Sequence, residues 1–181
     1  RSGFAARRAE AFGRGKLLGF GVAAVIERAA ALGEEAAEIR FDPTGTVTLL
    51  VGTHSHGQGH ETVFRQLLCG ELAVPFDAVR FVQGDTDAVL HGTGTFGSRS
   101  SGLAGAAIVR CASKIIDKGR HIAAHALESA ADDIEFADGR FIVAGTDRGL
   151  DLGEVCRLAY APPSLPPGME PGAGAGIGRK G

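Results

Sequence analysis

The chain has 181 residues, of which 44% are apolar and 22% are charged, and this composition is typical of a globular protein with its own hydrophobic core. Nineteen basic and twenty-one acidic side chains give a net charge of −2, so the chain lacks the strongly positive field of nucleic-acid-binding proteins. The longest apolar run, Leu17–Ile26, is too short to cross a bilayer, which takes about 20 residues. We therefore expect no nucleic-acid partner and no membrane span.

The N-terminal part combines a basic segment, an apolar run and a hairpin. Residues 1–16 carry mostly basic charge and predict a short exposed helix. The apolar run Leu17–Ile26 predicts a buried strand. Two short β runs follow, Glu38–Phe41 and Thr46–Val51, and the residues between them, Asp42-Pro43-Thr44-Gly45, are typical of a turn. We therefore predict a β-hairpin here.

Two glycine-rich turns each precede a helix. The first glycine turn, residues 52–59, leads into a segment with apolar residues at helical spacing. A strand is predicted at Val79–Val82, and the second glycine turn, residues 84–102, comes after it. A long helix is predicted from about residue 103 to residue 130, with Gly119 as a candidate break.

The C-terminal part contains a second hairpin and a short helix. Ile134–Phe136 and Arg140–Val143 predict the hairpin, and Leu152–Ala159 predicts the helix. Residues 161–181 hold five of the seven prolines and are expected to be extended or disordered, so the domain is assigned to residues 1–160. The predicted fold class is α+β, with short mixed and antiparallel strands and two units in which a glycine turn leads into a helix.

The two glycine turns predict an anion-binding site. The first N–H groups of a helix have no partner within the helix, and the helix dipole adds partial positive charge there. Glycines allow the backbone to approach a ligand closely, and phosphate commonly binds at such positions. In the second turn, Ser98 and Ser100 add hydroxyl groups, and Arg99 adds a guanidinium group suited to phosphate.

Two nucleotide-binding motifs match only in part. Gly92–Gly97 fits G-x-G-x-x-G, but the preceding strand ends well before it, whereas a dinucleotide-binding fold has that motif directly after a strand. The first glycine turn begins like a P-loop, but Gln58-Gly59 stands where that motif has Lys and Ser/Thr. Both folds are disfavoured, although a simpler phosphate- or nucleotide-binding module remains an alternative.

Histidines and aspartates in the turns were considered as metal ligands or catalytic groups. His54, His56 and His60 match no known metal-ligand spacing, so we favour polar lining of a cleft or a surface loop over metal ligation. Asp85 and Asp87 are interpreted as part of an Asx turn rather than as a carboxylate pair. We predict no metal ligand and no catalytic residue in this chain.

Several motifs, in their order and spacing, resemble one known family. They are Gly57-Gln58-Gly59-His60-Glu61-Thr62, then Gly84-Asp85-Thr86, then Gly94-Thr95-Phe96-Gly97-Ser98-Arg99-Ser100. Together they resemble the molybdopterin-binding large subunit of the xanthine oxidase and aldehyde oxidase family. The form G-T-x-G-S-R-S is most similar to the carbon monoxide dehydrogenase branch, and the resemblance extends over about residues 3–170.

The resemblance implies a cofactor site. In that family, the loop that resembles Gly57-Gln58-Gly59-His60 contacts the cofactor, and the loop that resembles Phe96-Gly97-Ser98-Arg99-Ser100 binds its phosphate-rich end. The implied cofactor is molybdopterin cytosine dinucleotide. The implied activity is oxidative hydroxylation with oxygen from water, and the implied partners are an iron–sulfur subunit and a flavin subunit that carry the electrons away.

The chain is expected to be a segment of a longer enzyme. Its only methionine is Met169, and the family's glutamate base and substrate loop have no match here. We therefore expect the segment alone to be inactive and without bound cofactor. The odd number of cysteines, three, favours a reducing compartment, and we expect a cytoplasmic location. A structural or assembly domain, in which the glycines serve only close packing, remains the other alternative.

Overall fold

The computed structural model describes residues 3–26, 29 and 33–176. Its helices are α1 (Phe4–Gly13), α2 (His60–Leu72), α3 (Gly105–Leu127) and α4 (Leu152–Ala159). Its strands are β1 (Ala37–Phe41), β2 (Val47–Val51), β3 (Val79–Gln83), β4 (Ile134–Ala137), β5 (Arg140–Val143), β6 (Gly149–Asp151) and β7 (Gly174–Gly176). One sheet has the order β3-β2-β1-β7, and a smaller one has the order β4-β5-β6. The predicted α+β class is confirmed.

The predicted hairpin is formed by β1 and β2. These strands are antiparallel, with Ala37 opposite Val51 and Phe41 opposite Val47. The Asp42 carboxylate closes the turn by accepting hydrogen bonds from the backbone N–H groups of Thr44, at 2.8 Å, and Thr46, at 3.2 Å. Hydrogen bonds from Thr44, its hydroxyl first, lower the pKa of Asp42.

The core lies between the larger sheet and helices α2 and α3. Ile39 and Leu49 project from the sheet and are fully buried, as are Leu68 on α2 and Ile108 on α3. Alternate residues of β1 are buried, as expected for a strand with one face against helices. Cys111 of α3 also reaches the sheet, where its thiol donates to a β1 carbonyl oxygen at 3.2 Å.

Helix α3 continues without interruption through Gly119, so the predicted break there is wrong. The glycine is explained by packing: a Cβ at this position would lie 2.8 Å from Cε1 of Phe141 and closer still to its Cζ. The Phe141 ring comes from β5 and is fully buried. Gly119 therefore lets the smaller sheet approach the helix backbone.

The predicted buried strand at Leu17–Ile26 is wrong. These residues form no strand, and their large side chains are exposed, to 92% for Leu17 and 99% for Ile26. The apolar composition predicts burial, but helix α1 contacts the start of this segment, through Phe4 and Phe20, without burying its large side chains. The preceding basic segment does form a helix, α1, as predicted.

Much of the proline- and glycine-rich C-terminal segment packs on the domain. Leu165 and Ala173 are buried, and β7 pairs antiparallel with β1. The ammonium group of Lys118 donates to the carbonyl oxygens of Glu170 and Gly172, at 2.9 and 2.7 Å. Residues 177–181 lie outside the described part, and the assigned boundary at residue 160 stays a prediction. In the described ranges, no helix is long and apolar enough to cross a membrane.

Candidate functional site

Both glycine turns leave the same edge of the larger sheet. β2 and β3 are parallel, with Val51 opposite Gln83, so their carboxyl ends lie side by side. The first glycine turn follows β2, and the second follows β3. Ligands in open sheets bind beyond the carboxyl ends of parallel strands. The topology therefore brings together two turns that are far apart in sequence.

The turns are in direct backbone contact at two glycines. A Cβ on Gly92 would lie 2.5 Å from the Cα of Gly52 and 2.7 Å from its carbonyl carbon. Such distances are well below ordinary contact, so a larger residue at either position would push the turns apart. Hydroxyl groups add a second link, because Thr95 Oγ1 accepts from the His54 N–H and from Ser100 Oγ, both at 3.1 Å.

The first glycine turn delivers the chain into α2. Gly57 and Gly59 have φ values of 99° and 78°, which favour glycine. The Gln58 side-chain oxygen accepts from the His56 N–H and braces the turn. Helix α2 begins at His60, and no side chain caps its N-terminus. Among the described residues, the first N–H groups of α2 therefore have no side-chain partner at the helix start, which lies beyond the carboxyl end of the sheet.

The second glycine turn delivers the chain into α3 through a wider helical turn. Gly97 and Ser98 have φ values of 55° and 52°, and Ser98 is one of few non-glycine residues here in the left-handed region. Residues Ser100–Ala104 then form a π-helical turn that continues into α3, again without a side-chain cap. Turns of this kind are frequent at functional sites.

Arg99 is fully buried and forms an ion pair with Glu35, which is also fully buried. Its Nη1 donates to a Glu35 carboxylate oxygen and to the Gly94 carbonyl oxygen, each at 2.7 Å. Its Nη2 donates to the Glu34 carbonyl oxygen at 2.6 Å. Its Nε is buried and has no partner among the residues that the structure describes, and its Cζ lies 5.2 Å from the centroid of the exposed Phe96 ring. Most of the guanidinium group therefore binds the protein itself.

A cleft of about 550 Å³ lies between the two turns. It offers hydroxyl, amide and main-chain donors, an exposed aromatic ring and the buried Nε of Arg99, and no carboxylate is among its lining residues. This donor set fits the phosphate-rich part of a ligand, with the ring available for stacking. The lining residues are Gln58, His60, Val63, Phe64, Thr95, Phe96, Gly97, Ser98, Arg99, Ser100 and Ser101.

The structure brings most of the predicted site residues to this one cleft. Gln58, His60 and the whole segment Phe96–Ser100 line it. Gly57 and Gly59 flank Gln58 and shape the turn without lining the cleft. Arg99, expected to face a phosphate, has its two terminal nitrogens occupied by protein groups instead.

Other residues at the site carried no recognised signal in the sequence. Glu35 lies 64 positions from its partner Arg99, in a segment with no motif. Thr95 lies within a family motif, but the motif gives no sign that its hydroxyl links the two turns. Gln83 supports the first turn, because its side-chain oxygen lies 3.3 Å from His60 Nδ1 and accepts from Thr53 Oγ1 at 3.4 Å. Only the shared sheet edge makes these contacts possible.

The histidines do not assemble a metal centre within the described ranges. His54 and His56 meet edge to face, with 4.8 Å between ring centroids. Across residues 3–26, 29 and 33–176, no group of three or more His, Cys, Asp or Glu side chains has the arrangement needed to hold a metal ion.

Comparison with known proteins identifies the family of the chain. The chain is 43% identical over 139 residues to the carbon monoxide dehydrogenase large chain of Afipia carboxidovorans, covering 75% of this chain and 17% of that protein. A crystal structure of a Cu,Mo-CO dehydrogenase in its carbon monoxide reduced state matches 81% of this chain and 18% of its own, with a TM-score of 0.76 and 41% identity.

A second solved structure covers more of the fold. Quinoline 2-oxidoreductase from Pseudomonas putida 86 matches 96% of this chain and 24% of its own, with a TM-score of 0.74 and 35% identity. The chain thus spans less than a quarter of the length of each of these three relatives. The model of the molybdopterin cofactor-binding domain matches residues 1–176. The chain therefore belongs to the molybdopterin cofactor-binding domain family.

Proposed function

We propose that this chain is the segment of a molybdenum hydroxylase large subunit that holds the phosphate-rich end of the molybdopterin cofactor between the two glycine turns. The observation that carries the proposal is the shared cleft, which Gln58 and His60 line from the first turn and Phe96–Ser100 line from the second. Neither turn forms this cleft alone.

The chemistry of the cleft supports an anionic ligand. The uncapped start of α2 and the π-helical turn supply N–H groups, and Ser98 and Ser101 supply hydroxyl groups. The positive charge of Arg99 is balanced by Glu35, so main-chain and hydroxyl donors carry most of the binding. Within this proposal, the first glycine turn and the start of α2 contact the cofactor from one side of the cleft, through Gly57, Gln58, Gly59 and His60.

The family resemblance extends the proposal to the whole enzyme. The cofactor, in its cytosine dinucleotide form, supplies the redox chemistry by which a substrate is hydroxylated with oxygen from water. Electrons leave through an iron–sulfur subunit and a flavin subunit. This chain contributes binding and orientation rather than a base, so it is inactive alone. The three cysteines form no disulfide, which supports a reducing, cytoplasmic compartment.

The substrate class follows from parts of the enzyme outside this chain. The relatives named above act on carbon monoxide and on quinoline, and both carry this domain. Since these relatives share the domain but differ in substrate, the domain is expected to bind the cofactor and not the substrate.

The test is substitution of Gln58 in the full-length large subunit, purified with its partner subunits. Gln58 is exposed, so we expect Gln58→Ala to keep the overall fold. The variant removes one polar contact to the ligand and the hydrogen bond that Gln58 accepts from the His56 N–H. We expect bound molybdenum and released cytidine phosphate to fall about fivefold, as for the loss of one hydrogen bond. Both are measured per folded subunit.

The matched control is Gln66→Ala on α2, because Gln66 is also exposed but does not line the cleft. This variant is expected to keep the wild-type content of molybdenum and of cytidine phosphate. If wild type and Gln58→Ala contain equal amounts of molybdenum and cytidine phosphate, Gln58 does not bind the cofactor. A wild-type enzyme that binds simple nucleotides but contains no pterin would instead favour the phosphate-binding module.

A further inference from the structure

A buried carboxylate lies behind the second glycine turn, outside the cleft. Glu35 is 2% exposed, and its side chain is completely covered. We propose that Glu35 is a positioning residue of the cofactor site, which acts through Arg99 to fix the second glycine turn. This inference rests on the proposed function and assigns a role to a residue that no motif identifies.

One guanidinium group connects three parts of the chain through this carboxylate. Arg99 Nη1 bridges Glu35 Oε2 and the Gly94 carbonyl oxygen, while Nη2 binds the carbonyl oxygen of Glu34. The segment before β1 is thereby tied to the turn that lines the cleft. Thr93 reinforces the tie, because its hydroxyl donates to the same Glu34 oxygen at 2.9 Å.

Glu35 also contacts the first glycine turn. Its Oε1 accepts from the Ala36 N–H at 3.2 Å and occupies the space where Gly52 would carry a Cβ. The carboxylate therefore lies against one turn and is ion-paired to the other. Since Gly52 and Gly92 are in backbone contact at the same place, loss of the carboxylate changes the spacing of both turns.

The ion pair determines which donor of Arg99 remains for a ligand. Both terminal nitrogens bind protein groups, whereas Nε has no partner among the described residues, and Arg99 lines the cleft. The Phe96 ring, 5.2 Å from Cζ, packs against the guanidinium group. Glu35 thus helps to hold Arg99 in an orientation in which Nε has no partner within the described ranges. A buried N–H of this kind is a position where a ligand acceptor is favoured.

The experiment compares Glu35→Gln with Glu38→Gln in the full-length large subunit, purified with its partners. Glutamine keeps the shape of the side chain and its acceptor oxygen but removes the charge. Glu38 is the matched control because it also pairs with an arginine, Arg40 at 2.5 Å, on the exposed face of β1. The readouts are molybdenum and cytidine phosphate per folded subunit and the rate at which bound cofactor is lost.

We expect Glu35→Gln to lower cofactor content about tenfold, as for other residues that orient a ligand-binding group, with no change in Glu38→Gln. A second variant, Glu35→Met with Arg99→Met, separates positioning from stability, because apolar replacement of a buried pair is often tolerated by the fold. It is expected to fold with wild-type thermal stability and to retain little cofactor.

The outcomes distinguish this inference from the proposed function. A loaded wild-type enzyme whose Glu35→Gln and double variants are equally loaded would overturn the role of Glu35 and leave the proposed function intact. A correctly folded wild-type enzyme without molybdenum or cytidine phosphate, from a host that makes the cofactor, would overturn both. Low content in Glu35→Gln with normal folding supports the positioning role, whereas normal content in Glu35→Gln with low content in the double variant would assign the effect to Arg99 and overturn the role of Glu35.

Discussion

Burial sets the reactivity of the cysteine on α4. Cys156 is 3% exposed and packs in the core. Burial raises the pKa of its thiol to about 12, which outweighs the lowering effect of nearby Arg157. Because the thiolate is the reactive form, about one thiol in ten thousand is ionised at pH 8. We expect no alkylation of Cys156 by iodoacetamide in the native protein, measured by peptide mass spectrometry.

Cys69 serves as the internal comparison. Burial also raises the pKa of this thiol, but the side chain is only partly buried, so slow labelling is expected. Both cysteines should react fully in denaturant. Labelling of native Cys156 at the rate of Cys69 would contradict the buried environment assigned to α4.

At the scale of single residues, composition and motif pointed to residues that line the cleft but not to the contacts that hold them there. The glycines and serines of the turns were identified because helix starts and flexible backbone have local sequence signatures. The pair formed by Arg99 and Glu35 had none, because an ion pair across 64 positions depends on the tertiary fold. The expected role of Arg99 as a phosphate ligand therefore left out its protein partners.

At the scale of elements, Gly70 of α2 and Gly119 of α3 allow a direct comparison. Gly119→Ala places a methyl group against the buried Phe141 ring. Overpacking of this kind costs about 1–3 kcal/mol, against a gain of about 1 kcal/mol in helix propensity. We expect the free energy of unfolding to fall by up to about 2 kcal/mol, measured by denaturant titration of the protein.

The control for this prediction is Gly70→Ala. Gly70 lies in α2, is exposed, and has no atom within 4 Å of the position of its missing Cβ. Because alanine at this position changes only the helix propensity, the free energy of unfolding is expected to rise by about 0.5–1 kcal/mol. Two variants of equal stability would show that Phe141 does not pack on α3 as described.

Elements with local signals were predicted well. The hairpins and helix α4 follow from turn residues and apolar spacing, and Asp151 and Glu154 add reciprocal capping bonds of 2.7 and 2.8 Å at the start of α4. Strand β7 has no such signal, since its three residues are Gly174-Ala175-Gly176 and it forms only by pairing with distant β1. The prediction for Leu17–Ile26 was wrong for the opposite reason, because this segment has a strongly apolar sequence but pairs with no strand in the described part of the chain.

At the scale of the whole molecule, the N-terminal arm, defined as residues 3–26, differs from the rest of the fold. Helix α1 has no extensive contact with any other helix or strand in the described part of the chain. The arm packs mainly on itself, with 5.4 Å between the ring centroids of Phe4 and Phe20. Its apolar side chains are exposed, Val22 to 82% and Val25 to 86%. Few buried contacts imply a low free energy of local opening.

The arm therefore predicts the order of proteolysis. When the 181-residue chain is treated with trypsin at low concentration, the first cuts within residues 3–176 are expected after Arg14 and Lys16, next to the exposed apolar segment. The remaining domain should resist further cleavage, because Arg110, Lys114 and Lys118 lie within α3, which packs on the larger sheet. Mass spectrometry identifies the cuts, and circular dichroism follows the residual fold. First cuts within α3 would show instead that the arm is more stably packed than the core helix.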